Sequence, residues 1–532
     1  MPLKTIAQPL VIATMAISVT VTPGAQSKDE ARIHRIEATA AEISMGEKEP
    51  PLRVDLNQLM KLYHVPALSI AVIDNFRIVW AQAYGAVETG SATPVTTHTL
   101  FQAGSISKPV AATGALYLVE QGKLSLDEDV NRKLKTWKVP DNDFTRREKV
   151  TLRRLMSHTA GLTVHGFPGY DVNAPWPRLV QIFNGEKPAN TAPIRVDLVP
   201  GTQFRYSGGG VTIEQQLMMD VTGEPFPALM RRIVLDKIGM TDSSYEQPLP
   251  PALAARTAAG TYADGRTVHG RWHVYPEMAA AGLWTTPTDL SKFAIEIALS
   301  RQGKSNRVLS QEMTRQMLTP VLDEAGLGFF LEKNHPGQFG HNGDDEGFQA
   351  LLTMNYESGQ GAAMMADSEN GIAAADLVLR RIAQEYGWKN VPETGTVAAL
   401  FLIARARGAQ AALRHYSQLK ASRAQESAID EGTLNMLGYN LLSSGQTRDA
   451  ITVFQRNVQE YPKSANTYDS LGEAYMKTGE RKLAIESYQI KMAVRIISWY
   501  TRPEGSAFGA YAAHDVLPLF VFWRQFERRP RT

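Results

Sequence analysis

From Ala67 onward, apolar and smaller residues alternate with period two. Leu68, Ile70 and Val72 mark one face, Asp74-Asn75 supplies a turn, and Phe76 to Trp80 runs on. That pattern predicts a β-hairpin. Over Phe101 to Gln121 the spacing becomes helical, with Ala111, Ala112, Leu116, Tyr117 and Leu118 as its apolar members. Strand and helix signals then alternate to about residue 390. One helix start is explicit in Thr286-Pro287-Thr288-Asp289: Thr caps, Pro takes the first turn, and an acid stands three residues after the cap. Phe348 to Met354 and Gly361 to Ala366 read as two late strands. Residues 28 to about 50 are charged and Ala-rich, and read as a loose helix or leader.

Past residue 395 the strand signals stop and a period of 34 takes over. Leu437-Gly438 recurs as Leu471-Gly472, Ala450 as Ala484, and Phe454 as Tyr488, with Pro462 at the junction. Small residues where helices touch and aromatics in the gaps resemble the tetratricopeptide repeat. An earlier, degenerate copy is expected around Ala412 and Tyr416. The repeats are placed at 400–500 and a tail at 506–532, whose apolar run Val516 to Trp523 would cap the array or dock on the preceding domain.

Of the 532 residues, 43% are hydrophobic and 21% charged, a globular composition that excludes a disordered chain or a membrane bundle. The 56 basic and 54 acidic residues nearly balance, so no polyanion or nucleic-acid partner is indicated. The basic stretch Arg524 to Arg531 reads as a solvated tail. With no cysteine, disulfides, thiolate metal sites and a cysteine nucleophile are excluded. The 11 histidines include no His-Glu-x-x-His or clustered metal spacing, and no metal or organic cofactor is implied. At the N-terminus, Lys4 precedes the apolar run Leu10 to Val21 and the small residues Pro23-Gly24-Ala25. This order reads as a secretory signal over 1–25, hence a secreted or periplasmic protein, with a retained membrane anchor as the alternative. The run is shorter than the roughly 20 residues a bilayer span requires.

Candidate chemistry begins at Gly104-Ser105-Ile106-Ser107-Lys108. Ser105 and Lys108 lie a turn apart on one helical face. A serine hydroxyl is a poor nucleophile until a base takes its proton, and a lysine amine can be that base. A helix start also offers free N–H groups to developing negative charge. Ser-x-x-Lys alone is weak evidence, since Ser417-Gln418-Leu419-Lys420 matches it within the repeats, where a solvated helix face explains it. Ser105 has two partners in sequence. Phe204-Arg205-Tyr206-Ser207-Gly208-Gly209-Gly210 puts a tyrosine in a glycine-rich loop, and Gly340-His341-Asn342-Gly343 lies just before the late strands. Lys477-Thr478-Gly479 is a second decoy, explained by a turn between repeat helices. No serine lies in Gly-x-Ser-x-Gly, so an α/β-hydrolase elbow is unsupported.

The order serine-lysine, tyrosine loop, His-x-Gly resembles the serine β-lactamase and penicillin-binding-protein superfamily. It looks most like the branch of class C β-lactamases, D-aminopeptidases, DD-carboxypeptidases and esterases. Phe101 to Lys108, Leu155-Met156-Ser157-His158-Thr159-Ala160-Gly161-Leu162 and Ala281-Gly282-Leu283-Trp284-Thr285-Thr286 agree with it. The resemblance implies an α+β fold over about 50–392: a mixed sheet flanked by helices, a mainly helical subdomain between about 120 and 280, and a site in the cleft between them. An all-α repeat domain follows. It further implies that Ser105 is acylated, that Lys108 and Tyr206 share the proton work, and that the N–H groups of Ser105 and Asp344 form an oxyanion hole. His341 would line the substrate strand, and Gly343 would let substrate lie against it. Gly208 stands where relatives commonly carry asparagine. His158 reads as a packed or capping residue, and the acidic run Asp344-Asp345-Glu346 as a solvated loop or a screen against anionic substrates. Lactams, esters and D-amino-acid peptides all remain open as substrates. The rival reading is a peptidoglycan- or partner-binding protein whose repeats do the work.

Overall fold

The computed structural model describes residues 23–46, 49–389, 394–422 and 429–500. The expected signal lies almost wholly outside the described residues, and the tail 506–532 entirely so. Helix α1 (Pro23–Ala38) and helix α2 (Leu56–Leu62) precede the hairpin β1 (Ala67–Asp74) and β2 (Arg77–Gly85). Later come β3 (Phe330–Leu331), β4 (Gln338–Asp345), β5 (Phe348–Asn355) and β6 (Gly361–Ala366). These six form one sheet in the order β2-β1-β6-β5-β4-β3, each neighbouring pair antiparallel.

Alternation along the central strands divides the core in two. Leu68, Ile70 and Val72 of β1, with Ala362 and Met364 of β6, enter the cluster that holds Leu59, Met60 and Val378. Ala67, Ile73, Ala363 and Met365 enter the other, with Phe293 and Ile297. Period two thus delivers successive side chains to opposite layers, and both faces of the sheet are covered. On the second face lies the helix Pro287–Arg301, which starts as expected: Thr286 caps it by accepting from the N–H of Asp289, and Pro287 takes the first turn.

Two segments differ from the sequence reading. The helix expected from Phe101 is in fact a strand pair, a 3₁₀ turn and then a helix. Phe101–Gln102 pairs with Trp284–Thr285, Gly104–Ile106 makes the turn, and helix α3 runs over Ser107–Glu120. Gly104 at φ +50° is the break, since that conformation is open to glycine at little cost. The glycine-rich loop is also a helix: Gly208 to Gly210 form the first turn of α4 (Gly208–Thr222), capped by Ser207. Three glycines disfavour a helix by propensity, but tertiary packing overrides it here. A Cβ on Gly209 would stand 2.9 Å from Thr163 O, so the turn is seated too closely for side chains.

After residue 395 the described chain is helical: α5 (Thr396–Arg407), α6 (Ala409–Ser422), α7 (Glu431–Ser443), α8 (Thr447–Glu460), α9 (Ala465–Thr478) and α10 (Arg481–Tyr500). The period of 34 sets these contacts. A Cβ on Gly438 would lie 2.4 Å from the ring of Phe454, and one on Gly472 2.8 Å from that of Tyr488. Gly445 and Gly479 both take positive φ between paired helices. Helix α5 also belongs to the sheet's core cluster, because the edge of Phe401 meets Tyr63 with centroids 5.2 Å apart. Phe401→Ala should therefore destabilise the protein by about 3–5 kcal/mol in urea unfolding. Loss confined to the helical array, with the sheet unit's transition unmoved, would contradict a shared core.

Candidate active site

The 3₁₀ turn lifts Ser105 out of the core, half-buried, with Lys108 one turn on and 3% exposed. Lys108 Nζ donates to Ser105 Oγ at 2.8 Å and to the carbonyl of Ala280 at 2.7 Å. It also stands 5.0 Å from the centroid of the Tyr206 ring. The structure thus brings Ser105, Lys108 and Tyr206 together from positions far apart in sequence. Strand β4 closes the other side. A Cβ on Gly104 would lie 2.4 Å from Asp344 N, and one on Gly343 1.9 Å from Ala103 O. The glycine at 343 therefore allows β4 to lie against the chain leading into Ser105.

The segment Leu155 to Leu162 proves to be the cradle of the tyrosine. His158, at φ +58°, accepts at Nδ1 from the N–H of Ser207 at 3.2 Å, and its carbonyl accepts from the N–H of Arg205 at 2.9 Å. Its ring lies 4.3 Å from that of Tyr206, centroid to centroid. Burial, then the nearby Lys108, push the His158 imidazole well below its ordinary range. It stays neutral and keeps the Nδ1 lone pair that Ser207 needs. Sequence reasoning found the packed histidine but not what it packs against. Rings of His165 and Phe330 complete the surround of Tyr206 at 4.8 and 6.2 Å. Phe330 gave no signal, since a lone aromatic in a two-residue strand has no periodicity to read.

His341 is buried on β4, and its Nδ1 lies 2.5 Å from the carbonyl of Asn342. A carbonyl only accepts, so Nδ1 carries the proton and Nε2 presents a lone pair. Burial and then Lys108 lower this imidazole to about 3. The acidic run splits. Asp345 is buried, and its carboxyl is raised well above the usual range by burial first and Asp344 second; Asp344 accepts from Gln349 Nε2 at 3.0 Å. Asp344 and Asp345 therefore end strand β4, and only Glu346 of the expected loop lies in the turn that follows. Gly208 faces inward: a Cβ there would meet His165 O and the Phe167 ring, each at 3.1 Å.

Both decoys resolve structurally. Ser417 Oγ donates to Leu413 O, and Lys420 is ion-paired with Glu460. Gly479 ends α9 at φ +78° while Lys477 reaches Leu442 O at 3.2 Å. Among the described residues no cluster of potential metal ligands occurs.

With this geometry in view, comparison with known proteins is informative. Residues 53–386 match the Beta-lactamase family profile. A β-lactamase of Pseudomonas fluorescens is 30% identical over 44% of this chain and 60% of its own length. Penicillin-binding protein 4 of Amycolatopsis lactamdurans is 27% identical over 62% of this chain and 88% of its own. An unguisins hydrolase of Aspergillus violaceofuscus is 26% identical over 43% of this chain and 41% of its own length. This chain thus spans less than two thirds of the length of the Pseudomonas and Aspergillus relatives. In fold it is similar to the octameric penicillin-binding protein homologue from Pyrococcus abyssi, with TM-score 0.52 and 22% identity over 62% of this chain and 76% of that one.

Behind the site lies Glu277, fully buried, at the start of the short helix that carries Ala280. Burial raises its carboxyl to about 8. A raised folded pKa means the folded state binds more protons than the unfolded one between the unfolded value near 4.5 and about 8, so stability falls as pH rises through that window. Glu277→Gln, which mimics the protonated acid, should flatten this decline. Urea midpoints at pH 5 and pH 8 would test it, and an unchanged pH dependence would contradict it. Among the described residues no helix is long and apolar enough to cross a membrane. The chain belongs to the Beta-lactamase family of serine hydrolases.

Proposed function

We propose that the protein hydrolyses a small-molecule acyl substrate through an acyl-enzyme at Ser105. The observation that carries this is the 2.8 Å bond between Lys108 Nζ and Ser105 Oγ beside the Tyr206 ring. The hydroxyl proton passes to the Lys108–Tyr206 pair as Oγ attacks the carbonyl. Negative charge on the carbonyl oxygen is met by the N–H groups of Ser105 and Asp344, a reading supported by the close approach of Gly104, next to Ser105, to Asp344 N. Tyr206 returns the proton to the leaving group, and water, activated the same way, releases the acid. Export through the N-terminal signal and a protein partner on tetratricopeptide-like repeats over 400–500 belong to the same proposal. The helix pairs and the 34-residue register support the second of these.

Ser105→Ala should lower turnover by several orders of magnitude, as removal of a nucleophile acting in a catalytic unit does. Ser417→Ala should leave it unchanged. Fluorophosphonate labelling and p-nitrophenyl ester hydrolysis measure both, and a fully active Ser105 variant would sink the proposal.

Between lactams and esters, two features favour esters. Penicillins and cephalosporins carry a carboxylate, and a neutral His341 offers it no cation. At position 208, where relatives commonly place an asparagine amide, glycine donates nothing to a lactam amide. A missing hydrogen bond of this kind costs about 1–3 kcal/mol, roughly 5- to 150-fold in rate. Wild-type kcat/KM for p-nitrophenyl acetate should thus exceed that for nitrocefin by about tenfold or more. Faster nitrocefin hydrolysis would reverse the assignment.

A further inference from the structure

A cleft of about 800 Å³ opens beside the candidate site, within the size range of small-molecule pockets. Phe204, Leu318, Phe330, Leu331 and Tyr356 supply its apolar lining, with three acids, Asp323, Glu324 and Glu332, and one cation, Lys333, around it. Its inner wall is shared with the catalytic cluster. The Phe330 ring lies 5.0 Å from His341 and 6.2 Å from Tyr206, and meets Phe204 edge-on at 6.1 Å. No step of the proposed mechanism uses the cleft.

We infer that this cleft receives an extended, apolar leaving group of the substrate that carries no negative charge. The inference rests on Ser105 being the nucleophile. Direction comes from Tyr206, which hands its proton to the leaving atom, and from Phe330, packed on the ring of that same tyrosine. Reach comes from β4. Phe330 pairs with Gly340, four residues before Asp344 on one strand, and Gln338 of the lining lies two further back. At about 3.3 Å per residue, the cleft begins roughly 13 Å and extends to roughly 20 Å from the candidate oxyanion donor. A short leaving group cannot span that distance, whereas an alkyl or alkyl-aryl arm can. Charge follows from the surroundings: three acids of the lining outweigh Lys333, a balance that disfavours an anionic arm.

para-Alkylphenyl acetates test this, because the alkyl chain lengthens the leaving group while hardly changing the acidity of the phenol. For the wild-type full chain, kcat/KM should rise at least about tenfold from phenyl acetate to p-octylphenyl acetate, as buried methylenes accumulate. Leu331→Glu should collapse that ratio. p-Octylphenol should inhibit phenyl acetate hydrolysis competitively, and phenol should not, a measurement on the wild type that does not depend on the variant folding. A flat series, or a rise seen only when the acyl chain is lengthened in phenyl octanoate, would overturn the inference while leaving Ser105 as nucleophile. If Ser105 is neither labelled by fluorophosphonate nor active on any aryl ester, the reading beneath has failed and this one falls with it.

Discussion

Lys108 holds an amine out of water, 3% exposed, and such burial is costly unless acceptors surround the group. The acceptors come from elsewhere in the chain. Ala280 supplies a carbonyl at 2.7 Å, Ser105 its hydroxyl at 2.8 Å, and Tyr206 the face of a ring. Much of the surrounding structure serves to place them. The N–H of Ala279 donates to Gln215 Oε1 of α4, which fixes the helical turn that presents Ala280. Ser107 Oγ accepts from the N–H of Leu283 and Tyr245 donates to Ser107 O, which locks the start of α3. This part of the fold is thus organised around satisfying one buried amine, and that amine touches Ser105.

The parts legible in the sequence are those governed by local periodicity or local hydrogen bonding. The hairpin Ala67 to Gly85, the Thr286 cap and the strands at Phe348 and Gly361 follow from alternation and side-chain-to-backbone bonds a few residues apart. Ser105, Lys108 and Tyr206 were readable because a resemblance ordered them, and the fold brings them together. What escaped was decided by contacts distant in sequence. Gly208 to Gly210 look like a loop until Thr163, His165 and Phe167 are seen to crowd them into a helical turn. Phe401 sits in a helix read as part of the repeats, yet its ring belongs to the core beneath Tyr63. Nothing near residue 401 announces residue 63.

Charge at the substrate strand follows the same logic. A histidine in a short motif could be a cation, an acceptor or a filler. Burial against Lys108 excludes the first, and the Asn342 carbonyl fixes which nitrogen keeps the proton. What remains is a lone pair facing a site whose other walls are aromatic. Tyr206 is ringed by His158, His165 and Phe330, and burial holds the His158 imidazole well below its ordinary range.

The twin Ser-x-x-Lys motifs state the general point most sharply. Ser105 with Lys108 and Ser417 with Lys420 share residue types, spacing and a helical setting. At the second pair Lys420 meets Glu460 and Tyr461 on a half-open face, and Ser417 bonds to its own helix at Leu413. The amine there has a carboxylate to pair with and no reason to engage the hydroxyl. At the first pair the amine's partners are the Ala280 carbonyl and the hydroxyl itself. The two identical motifs therefore differ in what the rest of the chain brings to the lysine: a carboxylate at Lys420, a carbonyl and the serine hydroxyl at Lys108.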